Sequence, residues 1–233
     1  MKTQSQAADI SMKSAAVIAG VSLLLMAVLA PVANFSILQI LIVPDNAAET
    51  VNNITANIGA FRMAIVLFLA VAVLDIVVAW SLYIFLKPQN KSLSLLTGWL
   101  RVVYATIFLV AATHLINVLQ LLSGADYLSA FTNSQLQTQA MLSITAFNQG
   151  WEFGLIIFGF HLLLLGYLLL KAGYMRKILG ILILLAGLGY IIDGAGKILL
   201  PDYNLSISMF TFIGEVILIF WLLIAGRKLT VTQ

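Results

Sequence analysis

The stretch "AFRMAIVLFLAVAVLDIVVAWSLYIFL" (residues 60–86) decides the fold. It is longer than the roughly 20 apolar residues that a helix needs to cross a bilayer. Only Arg62 and Asp75 interrupt it with charge. In hydrocarbon every backbone N–H and C=O must be paired within the segment, so such a run is a helix. Five more stretches read the same way, at 14–42, 98–122, 148–170, 178–199 and 207–226. The expectation is an all-α integral membrane bundle of six transmembrane helices, forming one domain over 1–233. Composition agrees. Hydrophobic residues are 62% and charged residues 9% of the 233, whereas water-soluble domains are about 25% charged.

Lys and Arg set the orientation. With a cytoplasmic N-terminus, the inner segments hold Lys2, Lys13, Lys87, Lys91, Arg101, Lys171, Arg176, Lys177, Arg227 and Lys228. The outer side holds only Arg62 and Lys197. Asp45, Glu49, Asp126 and Asp202 fall in outer loops. Both termini are therefore predicted to be cytoplasmic. The bilayer is the expected partner and nucleic acid is not, because topology explains the net charge of +3. The apolar run before Pro31 resembles a signal peptide, but cleavage after Ala30 would leave Pro first. It is read as an uncleaved span with a kink near Pro31.

The absence of cysteine excludes disulfides, thiolate nucleophiles and Cys-ligated metals. No cofactor is predicted. In the outer segment 123–147, Leu136, Ala140, Ile144 and Phe147 recur at helical intervals. This predicts a short surface helix or an extension of the fourth span. In segment 44–59, Asp45 is a candidate N-cap.

Charges inside a membrane face protein or a wet cavity. Estimated depths place Arg62, His114, Asn117, Glu152, Asp193 and Lys197 in an outer layer and Asp75, His161 and Glu215 near the midplane. Arg101 and Tyr104 fall at the inner edge, with Tyr83 facing them. In "GLGYIIDGAGKILLP" (187–201), Asp193 and Lys197 are four apart with the acid first, the favourable order for an ion pair. Thr106, Thr113, Asn117 and Gln120 share a stripe of the third span, with His114 beside it. That stripe suits either a cavity or interhelical hydrogen bonds. Gly150, Gly154 and His161 share a face of the fourth span, which predicts a close helix contact with His161 donating a hydrogen bond. Glu215 and Asp75 lack basic neighbours in sequence. With His161 they are candidates for proton coupling. His114, Glu152 and Asp193 are the sole candidate metal set, without motif spacing.

The stretches "LDIVVAWSLYIFLKPQNKSLSLLTGWLRVVYA" (74–105) and "GWEFGLIIFGFHLLLLGYLLLKAGYMRKILGILILLAGLGYIID" (150–193) resemble a family of multi-span bacterial membrane proteins, domain of unknown function 4386. The matching positions include Asp75, Arg101, Tyr104, His161, Tyr190 and Asp193. The resemblance implies a plasma-membrane protein and no particular activity. The expected function is non-enzymatic: binding, and transport or sensing, of a small polar or amphipathic ligand in an outward-facing pocket. Rivals are an intramembrane metal-dependent hydrolase and an accessory membrane subunit. Oligomeric state is left open.

Overall fold

The computed structural model describes residues 10–173, 175 and 177–228, so Lys2 and Arg176 of the orientation argument lie outside the described residues. Every regular element among the described residues is helical. Five helices are long and apolar enough to cross a membrane: α1 (Met12–Leu41), α3 (Ile58–Leu86), α4 (Lys91–Leu121), α5 (Asn133–Lys171) and α6 (Lys177–Leu199). α2 (Ala47–Ala56) is a short helix between α1 and α3. The last apolar helix, α7 (Ser208–Ile224), is shorter. Its ladder is interrupted at Phe212.

The six apolar helices close into a ring. α1 packs on α3, α3 on α4, α4 on α5, α5 on α6, α6 on α7, and α7 returns to α1. The exterior is apolar as well as the core, unlike that of a soluble protein. On α3, Val66, Leu69, Val73, Ile76 and Trp80 face outward while Phe61, Phe68, Val78 and the charged Asp75 are buried. An apolar exterior, over a mostly apolar interior that holds a few buried charges such as Asp75 and Arg101, suits hydrocarbon as solvent.

α1 starts at Ser11, whose hydroxyl accepts from the Ser14 N–H. It runs straight through Pro31 into a π-helical stretch, Val32–Leu38. The expected disturbance at Pro31 is thus a widened turn: the ring has no N–H to give, and a π-turn accommodates one surplus residue without ending the helix. The N-cap of α2 is Asn46, whose Oδ1 accepts from the Glu49 N–H, and not Asp45, which takes a positive φ of 58° in the turn.

The 123–147 segment takes the second of its two expected forms, and the start of the third span moves. The outer segment after the 3₁₀ turn Asp126–Ala130 joins the fourth span, giving α5 its 39 residues. Such a helix is about 58 Å long, so its first half stands beyond an apolar slab of about 30 Å. A capping box at Thr132 and Gln135 starts it. The third span begins at Lys91 and not near 98, because Asn90 caps the Leu93 N–H and the hydroxyls of Ser94 and Thr97 are absorbed by the Tyr83 and Leu93 carbonyls.

Glycines fix the α5–α6 contact. A Cβ on Gly159 would lie 2.7 Å from the Gly187 carbonyl oxygen, and one on Gly166 would lie 2.8 Å from that of Gly180. These backbones touch, as small residues permit in membrane bundles. Gly166→Val is therefore expected to destabilise by about 1–3 kcal/mol, the usual cost of overpacking. A denaturant titration in mild detergent measures it, and an unchanged midpoint would refute the contact.

Candidate functional site

The midplane carries a buried charged cluster. Asp75, Arg101 and His161 lie eleven, ten and ten residues from the same ends of α3, α4 and α5. At 1.5 Å per residue each sits about 15–17 Å deep. Their exposures are 0%, 2% and 0%. Arg101 Nη2 meets Asp75 Oδ1 at 2.6 Å. Arg101 Nη1 is 3.3 Å from His161 Nε2, and His161 Nδ1 is 2.9 Å from the Thr97 carbonyl oxygen. A carbonyl only accepts, so Nδ1 carries the proton; Nε2 then accepts from the guanidinium and the imidazole is neutral. The guanidinium also stacks on Phe158, 5.2 Å from the ring centre.

Arg101 is thus not an inner-edge topology charge. It is the counter-ion of Asp75. His161 makes the predicted helix contact, toward α4, and Gly150 and Gly154 on its face pack against Ala111 and Ile107 of that helix. Glu215 comes to the cluster from α7, partnered by the Tyr190 hydroxyl of α6 and facing Arg101 and Asp75. Neither His161 nor a basic residue is its hydrogen-bond partner. Tyr104 completes the layer, accepting from Trp151 Nε1 at 3.3 Å. Around Trp151, the rings of Phe68, Phe108 and Phe147 lie 5.2–5.7 Å away and fill the space above the cluster.

The residues expected to form an outer layer divide. Lys197 Nζ donates to Glu152 Oε1, joining α6 to α5, with side chains 40% and 41% exposed. The within-helix Asp193–Lys197 pair is not formed. Asp193 instead turns the other way and accepts four hydrogen bonds: from Tyr203 Oη at 2.7 Å, the Ile207 N–H at 3.0 Å, the Ser208 N–H at 2.7 Å and Ser208 Oγ at 2.6 Å. It holds the 200–207 connection and the start of α7.

A cavity of about 620 Å³ opens above this layer, between the π-helical end of α1 and the facing α5 and α6. Leu38, Ile42, Leu155 and Trp151 give it apolar walls. Asn34, Gln39, Asn148, Glu152 and Lys197 give it polar ones. Of the outer-layer residues, Glu152 and Lys197 line it. Arg62 is exposed on α3, Asn117 is exposed on α4 and His114 is half-buried, and none of the three belongs to its walls. Asp193 lines a neighbouring cavity of about 60 Å³ with Tyr190, Glu152, Lys197 and Ser208. The hydroxyl stripe of the third span faces outward, satisfied by its own helix: Thr106 donates to the Val102 carbonyl and Thr113 to that of Val110. Among the described residues, no three His or acidic side chains gather to hold a metal, so His114, Glu152 and Asp193 do not form one site.

The comparisons with known proteins place the chain in a family. The model of the family described as domain of unknown function, DUF4386, matches residues 18–226. The chain belongs to this family. This DUF4386 chain is also 38% identical over 179 residues to an uncharacterized protein of Archaeoglobus fulgidus, covering 75% of the present chain and 90% of that relative. No solved structure matches it.

Sequence reading did not place four contributors to these sites in this DUF4386 chain: Tyr190, noted only as a position of the resemblance, Trp151, and Asn34 and Gln39 of α1. The signal for the last two was present, as two amides within an apolar span. Trp151 and Tyr190 gave none, because aromatic residues inside membranes are ordinary.

Proposed function

We propose that the chain crosses a bacterial-type plasma membrane six times with both termini cytoplasmic, and binds an amphipathic small molecule from the outer side. The carrying observation is the 620 Å³ cavity with an ion pair at one wall and apolar side chains at the other. That volume lies in the range of small-molecule sites. The ligand's polar end would meet Glu152 and Lys197, and its apolar part Leu38, Ile42 and Leu155. Charge placement supports the orientation: Lys87 and Lys91 lie at the end where α3 meets α4, Asp45 and Glu49 at the opposite end. The 17 residues of α7 make about 26 Å of helix, enough for a thin crossing. Transport and sensing would both begin with this binding step, and no catalytic step is assigned.

The test is native mass spectrometry from mild detergent, comparing the wild type with Glu152→Gln/Lys197→Gln. An organic adduct of defined mass, lost in the double variant, is the expected result. An adduct retained at equal occupancy overturns the pocket. A stoichiometric metal revives the hydrolase reading. A co-purifying protein partner with tolerance of the substitutions makes the chain an accessory subunit.

A further inference from the structure

The midplane cluster holds more acid than base. Asp75 and Glu215 face one cation, Arg101, and His161 is neutral by its hydrogen bonds. Arg101 contacts Asp75 at 2.6 Å. Glu215 Oε1 is buried without a hydrogen-bond partner, as are both Asp75 oxygens, but Asp75 has the ion pair with Arg101 and Glu215 has no cation in contact. Tyr104 and Tyr190 are the other titratable groups facing it, and α1 carries no ionisable residue after Lys13. With both acids ionised the cluster has one uncompensated negative charge in a low dielectric, which is costly. Taking up one proton, –COO⁻ to –COOH, makes it neutral.

A route reaches that carboxyl. Tyr190, its partner, also lines the 60 Å³ cavity whose other walls include Glu152, Asp193, Lys197, Ser206 and Ser208. One liquid water takes about 30 Å³, and a water needs two to four polar partners. The cavity satisfies both conditions and ends at the ion pair on the outer face.

We propose that Glu215 is a proton-binding site in the membrane interior, loaded from the outer side through the water-sized cavity and the Tyr190 hydroxyl. Asp75 is the ionised partner that keeps Arg101 occupied. The inference stands on the cluster alone and does not depend on the amphipathic ligand.

The test is infrared difference spectroscopy of the ligand-free protein in lipid nanodiscs, acidic against alkaline bath. Glutamate is scarce, at positions 49, 152 and 215 only, so carbon-13 glutamate labelling of a Glu49→Gln/Glu152→Gln background, in which every variant below is built, leaves Glu215 as the one labelled acid. The expected result is a protonated-carboxyl C=O band that moves down in frequency on labelling, vanishes in Glu215→Gln and moves up in Tyr190→Phe as its hydrogen bond is lost. Ser206→Leu, which narrows the cavity, slows its deuterium exchange. A band insensitive to the label, a band surviving Glu215→Gln, or no titrating band overturns the site. Unchanged exchange in Ser206→Leu overturns the outer route. Should Glu215→Gln fail to fold, the label alone decides: in the Glu49→Gln/Glu152→Gln background a label-sensitive band belongs to Glu215, and its absence refutes the site.

Discussion

Arg101→Met is expected to destabilise the protein by about 3–5 kcal/mol, the cost of stranding a buried charge. The substitution keeps side-chain length but leaves Asp75 at 0% exposure with no cation, and Glu215 beside it. His161 Nε2 loses its donor as well. Removing both ends of the pair gives the opposite expectation. Asp75→Leu/Arg101→Met exchanges two charges for apolar volume, and such exchanges are often neutral or stabilising by about 1–4 kcal/mol. Denaturation in mild detergent, run on the two single variants and the double, measures the contrast. Single-variant losses below about 1 kcal/mol, the scale of an exposed pair, would mean that water reaches the cluster.

Asp193→Ala is the second large effect, on the order of 3 kcal/mol. Its carboxylate accepts two backbone and two side-chain hydrogen bonds, and each hydrogen bond to a charged group contributes about 1.5–3 kcal/mol, short of additively. The loss should be local, with faster proteolysis within 200–207 while the α5–α6 contact persists. Tyr203 reports it independently. Its phenol is pushed up to about 12 from 10.0, chiefly by the hydrogen bond to Asp193. A raised value means that the contact's stabilisation is present below pH 10 and is lost as pH rises through about 12. Ultraviolet titration, with Tyr203→Phe as the difference reference, should find ionisation near 12 in the wild type and near the ordinary 10 in Asp193→Ala. Identical titrations would show that Asp193 does not hold this connection.

The bundle was legible because apolar length speaks directly of the bilayer. Partners inside it were less legible, for reasons that can be named. Arg101 looks superficial if its helix starts near 98. Extending α4 back to Lys91 moves it from three to ten residues inside, and the residues that hid this, Ser94 and Thr97, are polar ones neutralised by carbonyls. Asp193 was drawn to Lys197 by four-residue spacing, yet its four donors lie ten to fifteen residues ahead, beyond a turn that helical periodicity does not describe. Glu215 had no basic neighbour to find, since its hydrogen-bond partner is a tyrosine. The outer pocket was half visible: Glu152 and Lys197 were grouped correctly by depth, while Arg62, His114 and Asn117 share that depth on walls facing elsewhere. Depth orders residues along the membrane normal and says nothing of azimuth.

The π-helical stretch of α1 has a consequence for azimuth. One surplus residue in a helix of 3.6 residues per turn advances everything after it by about 100°. Val32–Leu38 therefore re-aims the outer end of α1 relative to its inner half, where Ala16 and Gly20 pack against the end of α7. Leu38, Gln39 and Ile42 line the cavity with that extra rotation in place. Deleting one residue between 32 and 38 would leave the membrane-spanning length almost unchanged and swing this wall toward the lipid. Such a deletion would reshape the cavity wall and leave the rest of the scaffold as it is.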